Sequence, residues 1–228
     1  MDSLGLWRDI DSGIFFFILG DHAGTIDILN RALDQDKNIP IVYSHIGWSH
    51  IQLGQYDEAE RVYRQALERG IETSEIHSSL GLIYYNRRNF AKAEQELLVA
   101  LTLEEINVPA HYRLADVYRA TKKYTKAIEH YRRVLEINPG YVWASNGLGR
   151  ALAMEGKNEE ALAAFRNVVR IAPKMAPGYL NLAVHLERMK RYQEALEAYQ
   201  RFMDLSSEEE FARQREVAAA AIKRLQSR

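Results

Sequence analysis

The sequence predicts an all-α chain, a solenoid of stacked helical hairpins, and three observations carry that prediction. Ala59, Ala93, Ala127, Ala161 and Ala195 stand at a fixed interval of 34, with Thr25 one step earlier. The same comb collects Gly13, Gly47, Gly81, Ala115, Gly149 and Ala183, and another tooth collects Leu29, Tyr63, Leu97, Tyr131, Phe165 and Tyr199. Apolar residues around these teeth recur at helical spacing: Leu114, Ala115 and Tyr118 lie at i, i+1 and i+4. Ala127, Tyr131, Val134 and Leu135 lie at i, i+4, i+7 and i+8, a second stripe of the same period.

No insertion or deletion interrupts the comb, so the chain divides into units 6–39, 40–73, 74–107, 108–141, 142–175 and 176–209. Each unit reads as two helices joined by about three residues. Gly20, Gly54, Arg88, Lys122, Gly156 and Lys190 recur at that joint, and Pro139 and Pro173 follow second helices as stops. The small residues have a steric reason. Antiparallel helices with so short a connection must cross closely, and a large side chain at the crossing would push them apart.

The first unit is degenerate. Ser12 and Thr25 stand where leucine and alanine are expected, and Trp7, Ile10, Ile14, Phe17 and Ile18 with Phe16 make both helix faces apolar. Such a surface is expected to be covered, by folding back or by the first five residues, or to serve self-association or a partner through Trp7, Ile14, Phe17 and Ile18. At the other end residues 208–228 leave the comb. Ser207 and Glu210 form a capping box, and Phe211, Ala218, Ile222 and Leu225 make one apolar stripe. A C-terminal capping helix over the open end of the last unit is expected, and with it a single solenoid domain over 1–228.

Composition excludes several classes. The chain has 30 Lys+Arg against 31 Asp+Glu and a net charge of −1, so no overall basic field argues for nucleic acid. The charge is nonetheless segregated: residues 1–107 hold 9 basic against 17 acidic residues, and residues 108–228 hold 21 against 14. Cysteine is absent, which removes disulfides, thiolate catalysis and Cys-ligated zinc. The most apolar run, Ile14–Leu19, is far shorter than the roughly 18 residues of a membrane span, and the acidic residues before it are the wrong flank for a secretory signal. No membrane partner is expected, and a cytoplasmic location is the default.

Chemistry is also sparse. Gly147 and Gly149 sit inside a helix, not in a phosphate loop after a strand, and the seven histidines do not converge with a nucleophile or on a metal. No enzyme activity, cofactor or metal is expected.

Period and pattern, Leu-Gly/Ala-x-x-Tyr followed by Ala, Tyr, Ala and Pro, resemble the tetratricopeptide-repeat family over about 204 residues. The resemblance implies a right-handed superhelix of about six 34-residue repeats whose first helices line a concave groove that binds peptides. On the first helices, the residues opposite the buried stripe are Trp48 and Ile51, Leu82 and Tyr85, Tyr112, Asp116 and Arg119, Asn146 and Arg150, then Glu187. Arginine and tyrosine beside apolar positions suit a ligand with a hydrophobic side chain and an acidic group. The expected function is a non-enzymatic adaptor that binds a peptide or protein segment. The alternative is a scaffold, a homo-oligomer built through the apolar first unit or the oppositely charged halves. The carboxylate clamp of chaperone-tail-binding members is not matched, since Tyr112 and Asp116 stand where its first lysine and asparagine would be two units earlier.

Overall fold

A computed structural model describes residues 3–227, which form thirteen α-helices and no strand. The first helices of the hairpins are α1 (Ser3–Ile18), α3 (Pro40–Gln52), α5 (Ser74–Asn86), α7 (Val108–Ala120), α9 (Val142–Met154) and α11 (Ala176–Arg188). Their second helices are α2 (His22–Gln35), α4 (Tyr56–Glu68), α6 (Phe90–Leu103), α8 (Tyr124–Ile137), α10 (Asn158–Ile171) and α12 (Tyr192–Leu205). From α4 to α12 every helix begins 34 residues after its predecessor of the same kind. The last helix is α13 (Glu208–Gln226).

The crossing argument has a direct physical form. A Cβ on Gly47 would lie 2.4 Å from the Tyr63 ring, and one on Gly81 would lie 2.5 Å from Leu97. Each glycine therefore faces the large residue sixteen positions later on the second helix, and its missing side chain is the space that residue fills. Tyr63, Leu97, Tyr131 and Phe165 are all buried, as are Ala59, Ala93, Ala127, Ala161 and Ala195.

The joints share one geometry. Gly20, Gly54, Arg88, Lys122, Gly156 and Lys190 all have positive φ, between 59° and 83°. The next residue's N–H reaches back five positions, as in Gln55 to the His50 carbonyl at 2.8 Å and Lys123 to the Tyr118 carbonyl at 2.8 Å. This is the Schellman closure, in which one left-handed residue satisfies the orphan carbonyls of a helix end. Side chains start two of the following helices: Asp21 accepts from the Gly24 N–H at 2.9 Å, and Asn89 from the Lys92 N–H at 3.3 Å.

The helices form two compact units, Met1–Arg113 and Leu114–Arg228. In the first, Ile10, Leu29, Ala32, Val42 and Ile46 make a continuous apolar cluster against which Leu6, Ile14 and Ile26 pack. Of the first five residues, expected as a cover for the apolar first hairpin, 1 and 2 lie outside the described residues, 3–5 belong to α1, and Leu4 is itself exposed. In the second unit α13 lies against α12 with Ala218, Ala221 and Leu225 buried and Phe211 edge-on to Phe202 at 6.1 Å. Ser207 caps it by accepting from the Glu210 N–H at 3.3 Å. No helix among the described residues is long and apolar enough to cross a membrane.

Candidate functional site

The strip chosen from the sequence falls into two groups, one in each unit. In Met1–Arg113, Trp48, Tyr85 and Tyr112 are half-buried, whereas Ile51 and Leu82 are buried. Neighbouring first helices α3 and α5 pack side by side here, which closes over the smaller residues of the strip. The Ser44 hydroxyl donates across this seam to Glu75 at 2.8 Å. Tyr85 rests on the ring of Phe90 with centroids 5.8 Å apart, and the Arg113 guanidinium lies over the Tyr112 ring. This group is an aromatic and aliphatic surface without a charged side chain.

In Leu114–Arg228 the strip carries charge. Asp116 is buried and accepts from the Tyr131 hydroxyl at 2.6 Å and from the Arg119 guanidinium at 2.9 Å, while Arg119 Nε donates to the Tyr131 oxygen at 3.2 Å. Burial raises the Tyr131 pKa and Asp116 raises it further, so the hydroxyl stays a donor. Burial works against the Arg119 cation, but Tyr131 and Asp116 outweigh it. Tyr199, 68 residues after Tyr131, finds the same kind of partner by donating to Glu187 at 3.0 Å. Glu187 also receives Arg224 of α13. The comb tyrosine thus needs a hydrogen-bond acceptor from its own first helix, and Asp116 and Glu187 supply it.

Asn146 is buried too, and its Oδ1 accepts from Asn181 Nδ2 at 2.7 Å. Arg150 is exposed and, among the described residues, makes no hydrogen bond or ion pair. Around it opens a cavity of about 340 Å³. Arg119 lines it from α7, Arg150, Ala153 and Met154 from α9, and Asn181, Val184, His185 and Arg188 from α11, with Tyr124 and Phe165 from the second helices. No carboxylate lines this cavity. His185 is committed to the backbone carbonyl of Asn158 at 2.8 Å. Like Arg150, Arg188 has no ion-pair partner among the described residues. The cavity therefore combines an apolar wall (Ala153, Met154, Val184) with two unneutralised guanidiniums and an internally held third.

Of the residues expected from the sequence, the structure brings Arg119 and Arg150 together here and commits Asp116, Asn146 and Glu187 to internal hydrogen bonds. Sequence reasoning missed Met154 and Arg188. They occupy equivalent comb positions one residue beyond the chosen strip, in the last turn of their helices, so carrying the strip one residue further would have found both. Of the self-association set, Trp7 and Ile18 are exposed on the outer side of α1, whereas Ile14 packs on the core and Phe17 stacks edge-on to His45 at 4.5 Å.

Two family profiles described as tetratricopeptide repeat match the chain, one over residues 107–174 and one over residues 46–107 and 146–210. The chain belongs to the tetratricopeptide-repeat family. Its relatives include the peroxisomal targeting signal receptor of Kluyveromyces lactis, 29% identical over 102 residues that make up 45% of this chain and 18% of that protein. Anaphase-promoting complex subunit 3 of Schizosaccharomyces pombe is 20% identical over 184 residues, 81% of this chain and 28% of that protein. The chain thus spans less than a third of the length of either. Among solved structures, the Cut9 complex with Hcn1 matches with a TM-score of 0.80 at 16% identity, covering 94% of this chain and 41% of that one. YrrB, described as a tetratricopeptide-repeat protein with an unusual peptide-binding site, matches with a TM-score of 0.65 at 23% identity, covering 78% and 92%. At these identities the structures establish a shared repeat fold.

Proposed function

We propose that this chain is a protein-interaction module whose binding surface includes the first-helix side of Leu114–Arg228, and that it takes a peptide segment presenting an acidic group beside an apolar side chain. One observation supports the reading above the others: the 340 Å³ cavity holds Arg150 and Arg188 without ion-pair partners and no carboxylate, next to Met154 and Val184. A guanidinium beside an apolar wall recognises a carboxylate and its neighbour together, the first by paired N–H donors and the second by burial. Asp116 supports this arrangement indirectly, since it holds Arg119 at the edge of the cavity.

Selection of phage-displayed random dodecapeptides on the intact chain tests the reading. The expected result is enrichment of sequences with Asp or Glu within two positions of Leu, Ile, Met or Phe. Synthetic peptides so selected are expected to lose at least about 10-fold in affinity for the Arg150→Ala, Arg188→Ala double variant, the scale of charged hydrogen bonds. Enrichment without acidic residues, or affinity unchanged in the double variant with helicity intact, rejects this site.

A further inference from the structure

Helix α1 is apolar on two sides. One side, with Ile10 and Ile14, packs into the unit, and Asp9 ties it to α2 by accepting from Gln35 at 3.0 Å and Arg31 at 3.5 Å. On the other side Leu4 (83% exposed), Trp7 (59%), Phe15 (58%) and Ile18 (74%) lie within a single stripe about 100° wide. Large apolar side chains so exposed and so aligned are not the scattered singles of an ordinary surface. Arg8 and Asp11 sit within the same stripe, both exposed, and neither makes an ion pair among the described residues.

We propose that this stripe is a two-fold self-association surface, on which α1 of one copy packs antiparallel to α1 of a second, with Arg8 of each paired to Asp11 of the other. The arrangement of charges selects this occupant. Arg8 and Asp11 are three residues apart, so an antiparallel pair whose axis passes between residues 9 and 10 sets each arginine opposite the other copy's aspartate. The same register sets Leu4 opposite Phe15 of the second copy at both ends, and Trp7 closes the seam. A contact of this kind is isologous and complete at two copies. A face carrying one cation and one anion has no net repulsion from its own copy. It is poorly suited to an anionic bilayer, for which an interfacial helix needs an excess of lysine and arginine. Covering these side chains on both copies removes about 1,000 Å² from water, the lower bound of a specific interface, so the dimer forms reversibly with concentration. The inference rests on α1 alone and is independent of the peptide cavity.

Light scattering on the intact chain across a wide concentration range tests it, with circular dichroism to confirm helix content. The mass is expected to rise from 26.3 kDa towards twice that value. Arg8→Glu and Asp11→Arg are each expected to weaken the dimer at least about 10-fold, and the double exchange to restore it to within about 3-fold of the parent. Phe15→Ser is expected to leave only monomer. A monomer at every concentration overturns the proposal, and so does a monomer that co-sediments with phosphatidylcholine or phosphatidylserine vesicles. Masses that climb beyond two copies, or a dimer indifferent to both single charge reversals, overturn it as well.

Discussion

The two units use the same comb positions for opposite ends. In Met1–Arg113 the strip is aromatic and uncharged, and charges elsewhere in the unit pair with one another: Glu60 of α4 accepts from the Tyr84 hydroxyl at 2.5 Å and from Arg64 at 2.9 Å, and it also receives Arg87, which reaches Asp57 as well. In Leu114–Arg228 two arginines at the mouth of a cavity are left without such partners. Trp48, Leu82, Asp116, Arg150 and Val184 are one and the same position in five successive hairpins. The scaffold therefore constrains what lies at the crossings and leaves the first-helix surface free to change from apolar, to a buried acid, to an unpaired cation. Function in such a chain is written in the residues the period does not fix.

If the units share one packing principle, equivalent damage to their crossings should cost the same. Ala59 and Ala127 are both fully buried. Ala59→Arg and Ala127→Arg are each expected to destabilise by more than about 3 kcal/mol, from overpacking together with burial of an unpaired charge. Because stability in repeat chains is largely a sum of local and nearest-neighbour terms, the loss is expected to be local. Hydrogen exchange should show protection falling first in residues 40–73 for the former and in residues 108–141 for the latter. A melting curve unchanged by either variant would mean that the crossing is not where the small residues act.

Acid should separate the units. Burial alone would raise the pKa of Glu60, but the Tyr84 hydroxyl, Arg87 and Arg64 hold it down at about 2, below the usual glutamate value of 4.5. A carboxylate whose folded pKa is depressed contributes stability above its unfolded pKa and loses that contribution as pH falls. Residues 40–107 should therefore lose stability between about pH 4.5 and pH 2, by about 1–2 kcal/mol once the partial solvation of the cluster is allowed for. Glu60→Gln should flatten that part of the acid titration while lowering stability at neutral pH. Urea denaturation at a series of pH values reads both effects, and an acid slope identical in parent and variant would remove Glu60 as its source.

The fold was legible because close packing punishes any departure from the period: a Cβ at Gly47 or Gly81 has nowhere to go, so the comb is written in residue size. The site was only half legible. Helical geometry places Asp116, Asn146 and Glu187 on the right side of their helices, but it does not reveal that Tyr131, Asn181 and Tyr199 will claim them as hydrogen-bond partners. Those claims come from the buried hydroxyl of a second helix and from the next first helix, contacts set by tertiary packing. Arg188 and Met154 were missed for a plainer reason, since the strip stops at the position of Arg119 and Glu187, one residue short of the helix ends that open onto the same cavity.

The joints allow the smallest and sharpest contrast. The same left-handed position is glycine at Gly20, Gly54 and Gly156 but a long cation at Arg88, Lys122 and Lys190, with φ values of 59°, 61° and 63° at the latter three. A side chain there crowds the following carbonyl, a cost glycine does not carry, although glycine gives back part of the gain through the greater freedom of the unfolded chain. Lys122→Gly is thus expected to stabilise by about 0.5 kcal/mol, and Gly156→Ala to destabilise by about 1 kcal/mol, in thermal melts of otherwise identical chains. Open space surrounds the position of a Cβ on Gly156, so any loss there reports backbone conformation and not a clash. If Lys122→Gly destabilised instead, the contacts of the lysine stem would have to outweigh the backbone term. Lys122→Ala, which removes the stem and keeps the Cβ, would then lose at least as much, and the opposite sign for that variant would return the effect to the left-handed backbone.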